Sequence, residues 1–90
     1  MTSHYTIIVR GLVQKVGFRF HANLEANRNN LRGFVRNEPD GSVHIEAEGD
    51  EENLRRFIGW CQVGPRHAVI EQVDIKKGPV SGYAEFVIRH

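Results

Sequence analysis

The sequence predicts an α+β sandwich, an antiparallel sheet with two helices packed on one face. Three observations predict it. Strand-like and helix-like stretches follow one another in the order β-α-β-β-α-β, with one further short strand at the C-terminus. The stretch from Ser42 to Glu48 alternates apolar Val43, Ile45 and Ala47 with polar neighbours, the pattern of a half-buried strand. After Asp50, the residues Leu54, Phe57, Ile58 and Cys61 recur at i, i+3, i+4 and i+7, one apolar stripe of a helix.

Tyr5 to Arg10 carries Ile7, Ile8 and Val9 and reads as the first strand. A short loop follows, punctuated by Gly11 and Gly17. From Phe18 to Asn29 there is neither Gly nor Pro, so this stretch reads as the first helix. Its apolar face is poorly marked: Phe18, Ala22 and Ala26 share a row, while Phe20 and Leu24 fall outside it. Asn30 suits a left-handed C-terminal cap. Leu31 to Asn37 is the second strand, and the turn Glu38-Pro39-Asp40-Gly41 joins it to Ser42–Glu48 as a hairpin. Gly49-Asp50 opens the second helix, with Asp50 placed to cap it and Glu51 and Glu52 complementing its dipole. Gly64-Pro65 ends that region. Val69 to Ile75 reads as the fourth strand, Gly78 to Gly82 as a turn and Tyr83 to Ile88 as a short last strand. This is the ferredoxin-like split βαβ arrangement. In it the first and second strands run parallel, so the loop after strand one and the end of strand two share an edge. Asn37 has the side-chain parity of Val35 and points to the helix-bearing face, within reach of that loop.

Composition narrows the function. A chain of 90 residues is one small domain, here spanning 1–90. A net charge of +1 argues against a dedicated nucleic-acid binder. The single Cys61 forms neither an internal disulfide nor a cysteine zinc site and reads as a core residue. No apolar run approaches a membrane span or a signal h-region, so the default location is cytoplasmic with no membrane partner. The five histidines are scattered, and no His/Asp/Glu cluster has metal-ligand spacing. His21 and His67 read as ordinary surface or partly buried residues.

The loop between strand one and helix one carries the chemistry. A tight loop opening onto a helix N-terminus aims free backbone N–H groups at one point, where the helix dipole also favours an anion. Arg19, in the first helical turn, adds a planar fork suited to phosphate or carboxylate. The residues read Gly11-Leu12-Val13-Gln14-Lys15-Val16-Gly17-Phe18-Arg19. Gly33-Phe34-Val35-Arg36-Asn37 follows at a distance, then Asp40-Gly41-Ser42-Val43, and later Gly64-Pro65-Arg66-His67-Ala68-Val69-Ile70. Together these segments resemble the acylphosphatase family, small enzymes that hydrolyse carboxyl-phosphate anhydrides, over essentially the whole chain. The resemblance implies that Arg19 binds the substrate phosphate and that Asn37 orients the attacking water. It also implies a cradle made by the main-chain N–H groups of Gln14, Lys15, Val16, Gly17, Phe18 and Arg19. It implies no metal or cofactor, an acyl phosphate as the small-molecule substrate, and inorganic phosphate as product and competitive inhibitor; a monomer is the default.

The chain departs from the family pattern in two places. Lys15 replaces the usual loop glycine; if the position needs positive φ, Lys costs on the order of 1 kcal/mol relative to Gly. Asn29-Asn30 stands in place of a Leu-Gly pair. Three other readings compete. An RNA-binding module shares the element order, and Arg32-Gly33-Phe34 resembles the start of its aromatic signature. That segment falls on strand two rather than strand three, however, and strand one offers Ile8 where a stacking aromatic is needed. A non-catalytic anion sensor would keep the cradle and lack Asn37, which is present. The third reading is a domain of a larger carbamoyl-handling maturation protein; a chain that starts at Met1 and ends after a complete strand favours a free-standing protein.

Overall fold

Residues 1–90 are described by a computed structural model. The elements are β1 (Thr2–Leu12), α1 (Phe18–Arg28), β2 (Arg32–Asn37), β3 (Val43–Asp50), α2 (Glu51–Cys61), β4 (Val69–Gly78) and β5 (Phe86–Arg89). The strands form one sheet in the order β4-β1-β3-β2-β5. Ile7 and Val9 of β1, Val35 of β2, and Val43, Ile45 and Ala47 of β3 point to one face. There they meet Phe18, Ala22 and Ala26 of α1 and Leu54, Phe57 and Cys61 of α2. Alternation in the strands and the two helical rows thus close on one core. Cys61 is fully buried in it, and burial pushes its thiol far above the ordinary range, so it behaves as a small hydrophobe.

Four strands pair antiparallel, as expected. The last does not: β5 lies parallel to β2, with Gly33 opposite Phe86 and Val35 opposite Ile88, which makes the sheet mixed. β5 is also shorter than the expected Tyr83–Ile88. The N–H of Tyr83 donates to the Glu48 carboxylate at 3.1 Å instead of entering a ladder, so residues 83–85 belong to a crossing segment. At the start of α2, Asp50 occupies the N-cap position but makes no capping hydrogen bond. It is still the last residue of β3, and its carboxylate lies 3.6 Å from the N-terminal ammonium. Asn30 does adopt the left-handed conformation, with φ of 56°. Gly33 has φ of 141°, and a Cβ there would lie 1.8 Å from the carbonyl oxygen of Glu46, so β2 and β3 can meet at this point only through a glycine.

The open face of the sheet carries a network that strand periodicity alone does not show. Residues 79–85 run from β4 at one edge to β5 at the other, and Tyr83 on this segment stacks against His4 of β1 and meets Phe34 of β2 edge-on. Beneath the segment lies Glu48, fully buried although alternation puts it on the solvent side. Its carboxylate accepts from the N–H groups of Ser81, Gly82 and Tyr83 and from His4 Nδ1 at 2.8 Å. His4 Nε2 sits 2.5 Å from Glu46, which also accepts from Thr6 and lies beside His44. Two carboxylates face the two ring nitrogens, an arrangement that favours the imidazolium form of His4, with an N–H on each nitrogen.

Burial works against charge on all three groups. For His4, the hydrogen bonds to Glu46 and Glu48 outweigh burial and raise its pKa above the ordinary 6.5. For Glu48 the donors of Ser81 and His4, and for Glu46 those of His44 and His4, outweigh it and hold both carboxyls below the ordinary 4.5. The raised His4 contributes stability that is complete below about 6.5 and lost as pH rises through its folded value. The depressed glutamates contribute stability that is complete above about 4.5 and lost as pH falls through theirs. The network is therefore most stabilising between those limits. Urea midpoints measured against pH should fall as pH rises from about 6.5 through the raised His4 pKa, and His4→Gln should remove that fall. A wild-type midpoint that stays flat there would show that His4 titrates alike in both states.

Candidate active site

The loop between β1 and α1 turns through two left-handed residues, Lys15 at φ 62° and Gly17 at φ 79°. Gly17 takes this conformation freely; Lys15 pays for it with strain on the order of 1 kcal/mol. The turn leaves a row of amides without internal partners. No N–H from Gln14 to Phe20 donates to a protein acceptor, and the first that does is His21, to the Gly17 carbonyl at 3.1 Å. Two anchors hold the loop. Gln14 Nε2 donates to the carbonyls of Glu38 and Ser42 at 2.8 and 2.9 Å, tying it to the β2–β3 hairpin. Phe18 is buried against Trp60, with ring centroids 5.2 Å apart, which fixes the first turn of α1.

Arg19 points from that turn to the end of β5. Its Nη1 donates to the Arg89 carbonyl at 3.1 Å and lies 3.3 Å from His90 Nδ1. Nε and Nη2 have no protein partner, so the guanidinium edge that can offer two parallel N–H groups is free. A cation in the first turn opposes the helix dipole by roughly 0.3–1 kcal/mol, and no acidic residue stands in that turn to offset it. The helix start is electrostatically unsatisfied, and a bound anion relieves both effects.

Asn37 closes the site from the other side. It ends β2 opposite Val43 and lines the same cleft of about 210 Å³ as Lys15, Gly17 and Arg19. Its Oδ1 is buried and accepts no hydrogen bond; Arg32 Nε is the other buried side-chain polar atom without a partner. The hairpin turn does not use Asn37. Asp40 Oδ1 holds it, accepting from the Ser42 N–H at 2.9 Å and the Ser42 hydroxyl at 2.6 Å, and these bonds depress the Asp40 carboxyl below its ordinary value. The structure thus brings Arg19 and Asn37 to one cleft with Lys15, Gly17 and Phe18 of the loop, whereas Gln14 and Val16 do not line it.

Besides Val13 and Phe20, which flank the loop, two residues from the far end of the chain line the cleft where sequence reasoning did not place them, Ile88 and His90. Both arrive because β5 pairs with β2, and no local pattern signals that pairing. The structural role of the Gln14 side chain was likewise hidden, since its acceptors are backbone carbonyls 24 and 28 residues away. His21 and His67 are exposed, as expected.

The acylphosphatase family profile matches residues 5–88. An acylphosphatase from Nocardioides sp. is 45% identical over 89 residues, covering 99% of this chain and 90% of that protein. The crystal structure of an acylphosphatase from Bacillus subtilis superposes with a TM-score of 0.95 at 35% identity, covering all of both chains. The HypF structure from T. kodakarensis aligns with a TM-score of 0.85 at 36% identity; the match covers 98% of this chain and 12% of that one. With a profile match over nearly its full length and close relatives matched end to end, the chain belongs to the acylphosphatase family.

Proposed function

We propose that the chain, as one domain and a monomer, hydrolyses acyl phosphates through a backbone cradle, Arg19 and Asn37. The observation that carries this reading is the convergence of three unsatisfied groups on one cleft. These are the partnerless amides of the loop, the free edge of the Arg19 guanidinium and the buried acceptor Oδ1 of Asn37.

The chemistry needs little more. An acyl phosphate expels a carboxylate whose conjugate acid has a pKa near 4, so no general acid is required. What remains is to hold the phosphoryl group, disperse its charge and place a water in line. The amides of Gln14, Lys15, Val16, Gly17, Phe18 and Arg19, with the guanidinium, perform the first two tasks. Asn37 Oδ1 accepts a hydrogen bond from the water and performs the third. The water oxygen bonds to phosphorus as the bond from phosphorus to the acyl oxygen breaks. A neutral carboxamide is too weak a base to take the water's proton, which passes to a phosphoryl oxygen of the substrate. The products are carboxylate and inorganic phosphate.

Hydrolysis of benzoyl phosphate, in excess chelator and with inorganic phosphate as competitor, tests the reading. Metal-independent turnover with competitive inhibition by phosphate is the expected result. Saturable phosphate binding without turnover would favour a non-catalytic anion-binding domain instead. Neither binding nor turnover would overturn the site.

A further inference from the structure

The charge inventory of the cleft exceeds what a phosphoryl group requires. Loop amides, the N-terminal end of α1 and the guanidinium edge already form a complete anion site. Lys15 lines the same cleft and adds a second permanent cation. Its side chain is exposed and has no carboxylate within ion-pair distance, whereas Lys77 pairs with Glu51 at 3.1 Å. No acidic side chain lines the cleft. The cleft is also larger than its proposed guest: a water takes about 30 Å³ of liquid, so 210 Å³ holds a phosphoryl group and several further atoms of the acyl part. Lys15 keeps this place although its φ of 62° is a conformation that glycine adopts without strain.

We propose that Lys15 is a specificity-determining residue that recognises a second anionic group, carboxylate or phosphate, on the acyl portion of the substrate. This rests on the acyl phosphate reading above. The ammonium is a flexible point charge with three donors on a four-carbon stem, so it suits a group whose distance from the phosphoryl varies with acyl length. Its attraction acts on the acyl end and therefore enters as discrimination between substrates.

The test compares kcat/KM for succinyl phosphate, which bears a free carboxylate, with that for butyryl phosphate, which does not. The readout is the ratio of the two in wild type, Lys15→Met, Lys15→Gly and Lys15→Arg. The ratio should fall about five- to tenfold in the Met and Gly variants, recover in Lys15→Arg, and shrink in wild type as ionic strength rises. The Met and Gly variants are paired because Gly also relieves the backbone strain, and the same fall in both assigns the effect to the ammonium. A ratio equal to wild type in both, whichever way the separate values move, would overturn the inference and leave Lys15 acting on the phosphate or on solvent. Wild type that turns over neither substrate would instead sink the acyl phosphate reading itself, a result distinct from an unmoved ratio.

Discussion

Arg19→Ala is expected to lose measurable inorganic phosphate binding and to lower kcat/KM for benzoyl phosphate by on the order of 10³ or more. The magnitude follows from what the side chain alone supplies. Loop amides are partial charges spread over several residues, while the guanidinium is a full charge whose free Nε/Nη2 edge can form two parallel bonds to phosphoryl oxygens. Arg19→Lys should recover only part of the loss, because an ammonium cannot reproduce the fork or keep its second bond to the Arg89 carbonyl. Calorimetric titration with phosphate and steady-state hydrolysis measure the two effects separately. Wild-type phosphate affinity in Arg19→Ala would remove Arg19 from the site. The fold should survive the change, since Arg19 is only partly buried and its one backbone partner lies in the last strand.

Asn37→Ala should act on a different quantity. It removes the acceptor proposed for the attacking water but no donor from the phosphoryl group, so kcat should fall by on the order of 10² while the inhibition constant for phosphate stays near wild type. Stability should change little or rise slightly, because the deleted Oδ1 is buried without a partner and contributes no hydrogen bond to the fold. This combination is diagnostic. A side chain present for the turn would destabilise the hairpin when truncated, yet Asp40 already holds that turn through Ser42. Unchanged turnover in Asn37→Ala would refute the water-orienting role.

Much of this was legible along the chain. Alternation in β3 identified the core residues Val43, Ile45 and Ala47, and the stripe in α2 identified Leu54, Phe57 and Cys61. The weakly patterned row Phe18, Ala22 and Ala26 proved to be the buried face of α1. Asn30 takes the positive φ expected of its cap, and Lys15 has the positive φ on which its strain was conditional. The placement of Asn37 followed from parity and topology together: β1 and β2 both run antiparallel to β3, which puts the end of β2 beside the loop after β1. The misjudged features share one cause. A run of three apolar residues before Arg89 encodes neither its partner nor its direction, so the parallel seat of β5 beside β2 had no local signal. Glu48 falls on the polar side of a clean alternation, and only the crossing segment from residue 79 to 85 buries it.

Sequence by itself thus determined the element order and the two core faces. Each of these depends on sterics or periodicity within a few residues, which order along the chain specifies. Tertiary structure alone decided which groups are satisfied and which are left over. Arg19 has one nitrogen held and one edge free because β5 ends against it. Gln14 spends its side chain on two distant carbonyls, and Asn37 keeps an empty buried acceptor because Asp40 took the turn. The charged form of His4 is favoured because strand register sets it between Glu46 and Glu48. Hydrogen bonding and charge act over a few ångströms in space, and only packing of the strands brings such partners within that range.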